Sequence, residues 1–421
     1  MTPPVVARPP RSTVARWWSA TRTGTSFALG RIAGGVLVAH FVLVFFPRSL
    51  VHTRLGTLSS GTWFGAFDRW DAGHYLAIAA HGYPAATPDL RAFFPGYPLV
   101  VRVVHDATGG VLSYGQVGCL VSMAAFAVAA GLLYREVRLR YGTRAALASA
   151  ALFAWFPTSV FFLAPYSEAL FALEILSCFT LIGRGRWWAA ALVAGYASAT
   201  SPEAVALTAA LVVAALVARR GPARAVGYGV VGSLGAAAYC LFLGVRFGEP
   251  FAFATVLPDF HRQVVVPFGG IVSNLVSLPH ALATAGTAPA DIRPFIYDVA
   301  WMQWLDDTVV LVAVVSLVVL AVRLVAELRT GATLRDTTVP VGWLVLLAGI
   351  VVAASSTVIR VPGAPDSPEG AARLVSVAFP LYAGLYLAVR RWPTLVIVGI
   401  GLSASLAVLT QVLFNLGYWV T

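Results

Sequence analysis

Apolar stretches long enough to cross a lipid bilayer recur from residue 26 to residue 416 of this chain, and that recurrence excludes most ways of folding. Inside hydrocarbon every backbone N–H and C=O must find its partner within the protein, which leaves helices or a closed barrel. The period and length of the runs select helices. A window of about 20 residues marks eleven spans, at 26–46, 116–135, 144–164, 166–183, 187–200, 202–218, 225–245, 307–326, 339–358, 373–389 and 394–416. The expected fold is an all-α polytopic membrane protein. Residues 1–25, rich in proline and arginine, read as a retained cytoplasmic tail, and residues 26–421 as one transmembrane domain.

Orientation follows from charge. Eighteen arginines fall in alternate connections, at 8, 11, 16, 22, 135, 138, 140, 144, 184, 186, 219, 220, 224, 323, 329, 335, 390 and 391. Only Glu136, Glu327 and Asp336 accompany them. The positive-inside rule makes these connections cytoplasmic, with the N-terminus inside and the C-terminus outside. The net charge of +11 thereby reflects topology and does not point to nucleic acid. All 29 basic residues are arginine, in keeping with a GC-rich genome. Cys119, Cys178 and Cys240 all lie inside spans, which argues against a disulfide framework, and no spacing of His, Cys and carboxylates suggests a metal site.

The two long connections, 47–115 and 246–306, fall on the outer side with most of the acidic residues. Each is too long to be structureless and is expected to carry short amphipathic helices along the membrane surface. In the first, Trp70, Tyr75, Ile78 and 99–104 would share an apolar face. This connection also holds Asp68-Arg69-Trp70-Asp71-Ala72-Gly73-His74-Tyr75, then His81-Gly82-Tyr83, then Phe93-Phe94-Pro95-Gly96-Tyr97-Pro98. Carboxylates, histidines and arginines so concentrated in a chain that is only 11% charged suggest chemistry.

Further acids stand at outer helix ends. Glu168 follows Pro165-Tyr166-Ser167, and Glu203 follows Thr200-Ser201-Pro202. Either acid would also be explained by interaction with the N-terminus of the helix that follows, worth about 0.3–1 kcal/mol. Glu174 lies within a span, where an ionisable side chain is costly and by default functional or half of a buried pair.

Four motifs, Arg69-Trp70-Asp71-Ala72-x-His74-Tyr75, His81-Gly82-Tyr83, Ala92-Phe93-Phe94-Pro95-Gly96-Tyr97-Pro98-Leu99 and Tyr166-Ser167-Glu168-Ala169-Leu170-Phe171, resemble in order and spacing the PIG-V family of mannosyltransferases, which has bacterial members. The resemblance covers about residues 60–210. It implies a GT-C glycosyltransferase architecture that takes mannose from a polyprenyl-phosphate-mannose donor, with its site on the side opposite the cytoplasm and no separate cofactor. One departure stands out: the family carries an Arg-Ser-Asn-Gly type motif where this chain has Thr200-Ser201-Pro202-Glu203.

Such a donor brings its own leaving group, so inverting transfer needs chiefly one base for the acceptor hydroxyl. The motif match makes Asp71 the candidate base, with Asp68 second and Glu168 as a further catalytic acid. A surface helix cap is the structural alternative for Asp71. Arg69, Arg91 and Arg373 are candidates for the donor phosphate, since guanidinium forks suit phosphate oxygens. His74, Tyr75, His81, Tyr166 and Glu174 are candidates for sugar or acceptor contacts, although Trp63, Trp70, Tyr75 and Tyr83 also suit membrane-interface anchors. The expected partners are a lipid-linked sugar donor and a glycolipid acceptor, of phosphatidylinositol mannoside or lipoglycan type, in the plasma membrane. A transporter or flippase, or a non-catalytic partner of another glycosyltransferase, is the competing class. Against a transporter stand the absence of an evident internal repeat and the gathering of charge at helix ends, since transporters favour repeats and helices broken near the midplane.

Overall fold

The computed structural model describes residues 65–273, 275–276, 293–359, 367–368, 370–415 and 420. The expected tail 1–25, the span 26–46 and Trp63 lie outside them. What is described is almost wholly helical, with helices long and apolar enough to cross a membrane more than once, and the chain is a multi-pass membrane protein.

The first long connection forms α1 (Asp71–His81) and α2 (Gly96–Ala107), joined through a 3-10 turn at Pro88–Ala92. These are the short helices expected there. They do not share the single apolar face foreseen for them: Ile78 and Val101 are buried, whereas Trp70, Leu99 and Val103 are exposed.

Next come α3 (Tyr114–Tyr141), α4 (Thr143–Ala154), α5 (Glu168–Gly183), α6 (Trp187–Thr200) and α7 (Ala204–Val217). A capping box starts α3, in which Ser113 Oγ accepts from Gln116 N and Gln116 Oε1 from Ser113 N. The expected span 144–164 stops at Ala154, because Pro157 cannot continue a helix; a 3-10 turn at Ser159–Phe162 leads to the Tyr166-Ser167-Glu168 corner.

Two other expected helices are broken. The span 225–245 forms as α8 (Pro222–Gly232) and α9 (Leu234–Phe247), bent by 47°. Side chains of neighbouring helices satisfy the backbone at the break. Thr208 Oγ1 donates to Gly232 O, and Ser198 Oγ accepts from Ala236 N. The α6–α9 crossing is close: a Cβ on Gly235 would lie 2.3 Å from Gly195 O and 2.6 Å from Ala199 N.

After α10 (Ala252–Thr255) comes β1 (Arg262–Val264), then α11 (Arg293–Arg329) and α12 (Leu334–Ser355). Helix α11 begins 14 residues before the expected 307, so the second connection ends at 292 and not at 306. Gln303, Asp306 and Asp307 stand at or just before the expected start of this span, and the fold buries all three. Asp306 Oδ1 accepts from Ala372 N at 2.6 Å, which fixes the start of α13 (Ala371–Ser376). The expected helix 373–389 is the second broken one: Pro380, which has no N–H to continue the ladder and suits a first helical position, opens α14 (Pro380–Val389). Helix α15 (Pro393–Asn415) follows.

Among the described residues, α3, most of α11, most of α12, and α15 are long and apolar enough to span a membrane, and α8 with α9 makes a fifth candidate. Most other expected spans form as helices of 10 to 16 residues. A small antiparallel sheet, β1–β2–β3, with β2 at Thr357–Ile359 and β3 at Ser367–Pro368, was not among the expected elements. Its register, Gln263 opposite Val358, ties the second connection to the end of α12.

Candidate active site

Arg373, on α13, is the centre of a charged cluster. Its Nη1 lies 2.9 Å from Asp71 Oδ2 and its Nε 3.1 Å from Glu168 Oε1. Both carboxylates are buried, each 6% exposed, so the shared guanidinium supplies the countercharge that burial requires. Below it lie the rings of Phe161 and Tyr166, 5.4 and 5.6 Å from the guanidinium carbon. One arginine thereby joins the first connection, the Tyr166-Ser167-Glu168 corner and the C-terminal third of the chain.

Local backbone geometry sets Asp71. It is the first residue of α1, and Trp70 before it has φ 56° and ψ −125°, a conformation rare for a residue with a side chain. The turn is held through Arg69 O, which accepts from Ala72 N at 3.1 Å and from Tyr166 Oη at 3.0 Å. One turn along α1, the Tyr75 hydroxyl is 2.9 Å from Ser167 Oγ. Burial, reinforced by the Glu168 carboxylate, raises the Tyr75 phenol above its ordinary range, so it acts as a neutral hydroxyl.

These groups line a cavity of about 380 Å³, within the range of small-molecule sites. Asp71, Tyr75, Glu168 and Arg373 form one side, Phe93 and Phe94 a wall, and Ser201 with Glu203 another part; Arg262 of β1 lines it as well. The wall is pressed into place by a close approach. A Cβ on Gly96 would lie 2.5 Å from Thr200 Oγ1 and 2.8 Å from Ala199 O, so the start of α2 sits directly on the end of α6.

The structure thus brings together four of the residues singled out by sequence. It puts the others elsewhere. Asp68 is exposed and outside the cavity lining. The side chain of Arg69 does not line the cavity; its carbonyl anchors the turn. Arg91 stacks over Phe247 at 4.0 Å and reaches Ala85 O, away from the cavity. His74 stacks on Phe93 with centroids 4.6 Å apart and sits 3.5 Å from Asp89, so it braces the wall from behind. His81 is exposed at the end of α1. Tyr166 is buried beneath the arginine. Glu174 is buried outside the lining and accepts from Thr200 Oγ1 at 2.9 Å, as half of a buried pair.

Two charged lining residues were not among the sequence candidates for the site. Glu203 was read only as a helix-end acid. It stands at the start of α7 but makes no capping bond, and its carboxylate accepts from the Ser201 hydroxyl instead. Arg262 had a signal in the sequence: it is an arginine on the expected outer side, beside a β-branched run, Val264-Val265-Val266, typical of a strand.

Comparison with known proteins agrees over the segment that carries the four motifs. Residues 47–217 match the model of the mannosyltransferase (PIG-V) family. The GPI alpha-1,6-mannosyltransferase 2 of Mus musculus is 38% identical over 139 residues, which are 31% of this chain and 27% of that protein. The Homo sapiens protein is 31% identical over 199 residues, 45% of this chain and 40% of that protein. The chain therefore spans well under half the length of these relatives, and over the matched residues the resemblance read from the motifs is borne out. Among solved structures, ArnT from Cupriavidus metallidurans bound to undecaprenyl phosphate aligns at a TM-score of 0.47 and 15% identity, over 91% of this chain and 76% of that one.

Proposed function

We propose that this protein is a membrane glycosyltransferase of GT-C architecture, transferring mannose with inversion from a polyprenyl-phosphate-mannose donor to a glycolipid acceptor at the outer face of the plasma membrane. The observation that carries the reading is the buried Asp71–Arg373–Glu168 bridge on one side of a ligand-sized cavity. Three of the four family motifs line that same cavity, Tyr83 of the remaining one donates to Phe93 O behind its wall, and the relatives that match this segment are mannosyltransferases.

The chemistry asks little of the protein. The acceptor hydroxyl attacks the anomeric carbon, the bond from that carbon to the phosphate oxygen breaks, and its electron pair leaves with the phosphate. Asp71 takes the hydroxyl proton. Arg373 holds one oxygen of that carboxylate and Glu168 holds Arg373, so the base is fixed in position and aimed. Arg262, which lines the cavity with its guanidinium 5.3 Å over the Phe260 ring, is assigned to the lipid phosphate in place of Arg69 and Arg91, whose side chains do not line it. Phe93 and Phe94 offer an apolar wall to a sugar face, and Ser201 with Glu203 supplies hydroxyl-binding groups.

The bent α8–α9 helix is a feature found in transporters, but its freed backbone groups are taken up by Thr208 and Ser198 and not offered to an ion. The test is transfer of labelled mannose from polyprenyl-phosphate-mannose to extracted membrane lipids by the purified protein. Transfer by the wild type and its loss in Asp71→Asn supports the proposal; donor binding without transfer by either turns it towards another sugar or a non-catalytic role.

A further inference from the structure

A second cavity, of about 560 Å³, lies on the other side of the Phe93–Pro95 segment. Phe93 and Phe94 face the first cavity, whereas Pro95 lines the second. Its floor is apolar, formed by Pro98, Leu99, Ala238 and Phe242, and Tyr239 closes its inner side by donating to Arg91 O at 2.8 Å. Two arginines, Arg102 of α2 and Arg246 in the last turn of α9, line it with no carboxylate in the lining.

We propose that this groove seats an anionic glycerophospholipid of the bilayer, its phosphate on Arg102 and Arg246 and one acyl chain along the apolar floor. Three observations favour a lipid. The flanks are apolar and exposed, as a surface against hydrocarbon is: Val103 is 66%, Leu241 68% and Val245 80% exposed. Both arginines stand at the same end of the bundle, where α9 ends and the first connection folds back on it, which is headgroup height for a chain lying along α9. Their charge is also open to a ligand. Among the described residues, Arg102 has a 3.9 Å contact with Asp106, both side chains about half exposed, and a 3.5 Å approach to Ala79 O; Arg246 has Phe247 6.0 Å below it. An exposed ion pair of that length is weak. The donor's own phosphate has to reach the first cavity, so the lipid on Arg102 and Arg246 is a different molecule. This site stands whether or not the mannosyltransferase reading does.

Native mass spectrometry of the purified full-length protein tests it, with phosphatidylglycerol, phosphatidylcholine and undecaprenyl phosphate as probes. The wild type should retain phosphatidylglycerol about thirtyfold more tightly than phosphatidylcholine, as two interfacial arginines would give. The double variant Arg102→Gln/Arg246→Gln should erase that preference, and Ala238→Phe, which fills the groove from an exposed position, should remove the bound phosphatidylglycerol. Asp71→Asn should change neither. A preference that survives the double variant, undiminished phosphatidylglycerol in Ala238→Phe, or displacement by undecaprenyl phosphate at equal concentration would overturn the proposal. Unchanged melting temperatures of the variants keep loss of fold from imitating loss of the site.

Discussion

Arg373 Nη1 sits 2.9 Å from Asp71 Oδ2, across 302 residues of chain, and the same guanidinium holds Glu168. An acid beside a cation in a cavity is ordinary. Two buried acids sharing one cation mean that the three residues stand or fall together.

Arg373→Gln is therefore expected to leave two buried carboxylates facing each other without countercharge. Breaking a buried pair from one side costs about 3–5 kcal/mol. Thermal unfolding in detergent should register that loss, and Arg373→Gln/Glu168→Gln should recover part of it. Equal melting temperatures for Arg373→Gln and wild type would refute the shared-cation account.

Asp71→Asn keeps shape and the contact with the guanidinium but removes the basic oxygen. Transfer should fall by about 10² to 10⁴ with donor binding retained. Asp68→Asn, altering an exposed residue outside the cavity, should stay within about twofold of wild type by the same measure of base loss. A larger effect at Asp68 than at Asp71 would reverse the assignment of the base.

Arg262→Gln should raise the KM for the lipid-linked donor by about tenfold to a hundredfold, the range set by losing a hydrogen bond to a charged group. Arg69→Gln and Arg91→Gln remove side chains that do not line the cavity and should leave that KM nearly unchanged. Steady-state kinetics over donor concentration separates the three.

Gly96→Ala drives a methyl into Thr200 Oγ1 and Ala199 O, at 2.5 and 2.8 Å before relaxation. Overpacking of this kind costs about 1–3 kcal/mol. Because Thr200 also donates to Glu174, the shift should be felt at both ends of the Phe93–Phe94 wall. The melting temperature should drop and KM should rise; an unaltered protein would mean that α2 and α6 do not meet as described.

The sequence was legible where one physical rule acts alone. Apolar runs gave the helices, and the motifs around Asp71 and Glu168 gave two of the three members of the bridge; Arg373 stood out only as an outer-side arginine for the donor phosphate, not as the partner of those acids. It failed where tertiary contacts decide. Asp306 and Asp307 stand at the expected start of a span, yet the fold buries both, and Asp306 takes a backbone partner on α13. Arg91 looked like a phosphate ligand, and only the position of Phe247 reveals that its guanidinium is already stacked. The break between α8 and α9 depends on hydroxyls of Thr208 and Ser198, which no reading of 225–245 by itself contains.

The order in which a ribosome delivers these residues gives the bridge a second meaning. Asp71 and Glu168 are synthesised first, and their cation follows 302 residues after Asp71. Until Arg373 arrives, burying the two acids is unfavourable, so the early helices are held short of their final packing while later ones are still being made. The last third of the chain thus acts as the latch on the first: a polypeptide cut short before α13 would carry nearly every motif and still lack the means to assemble them.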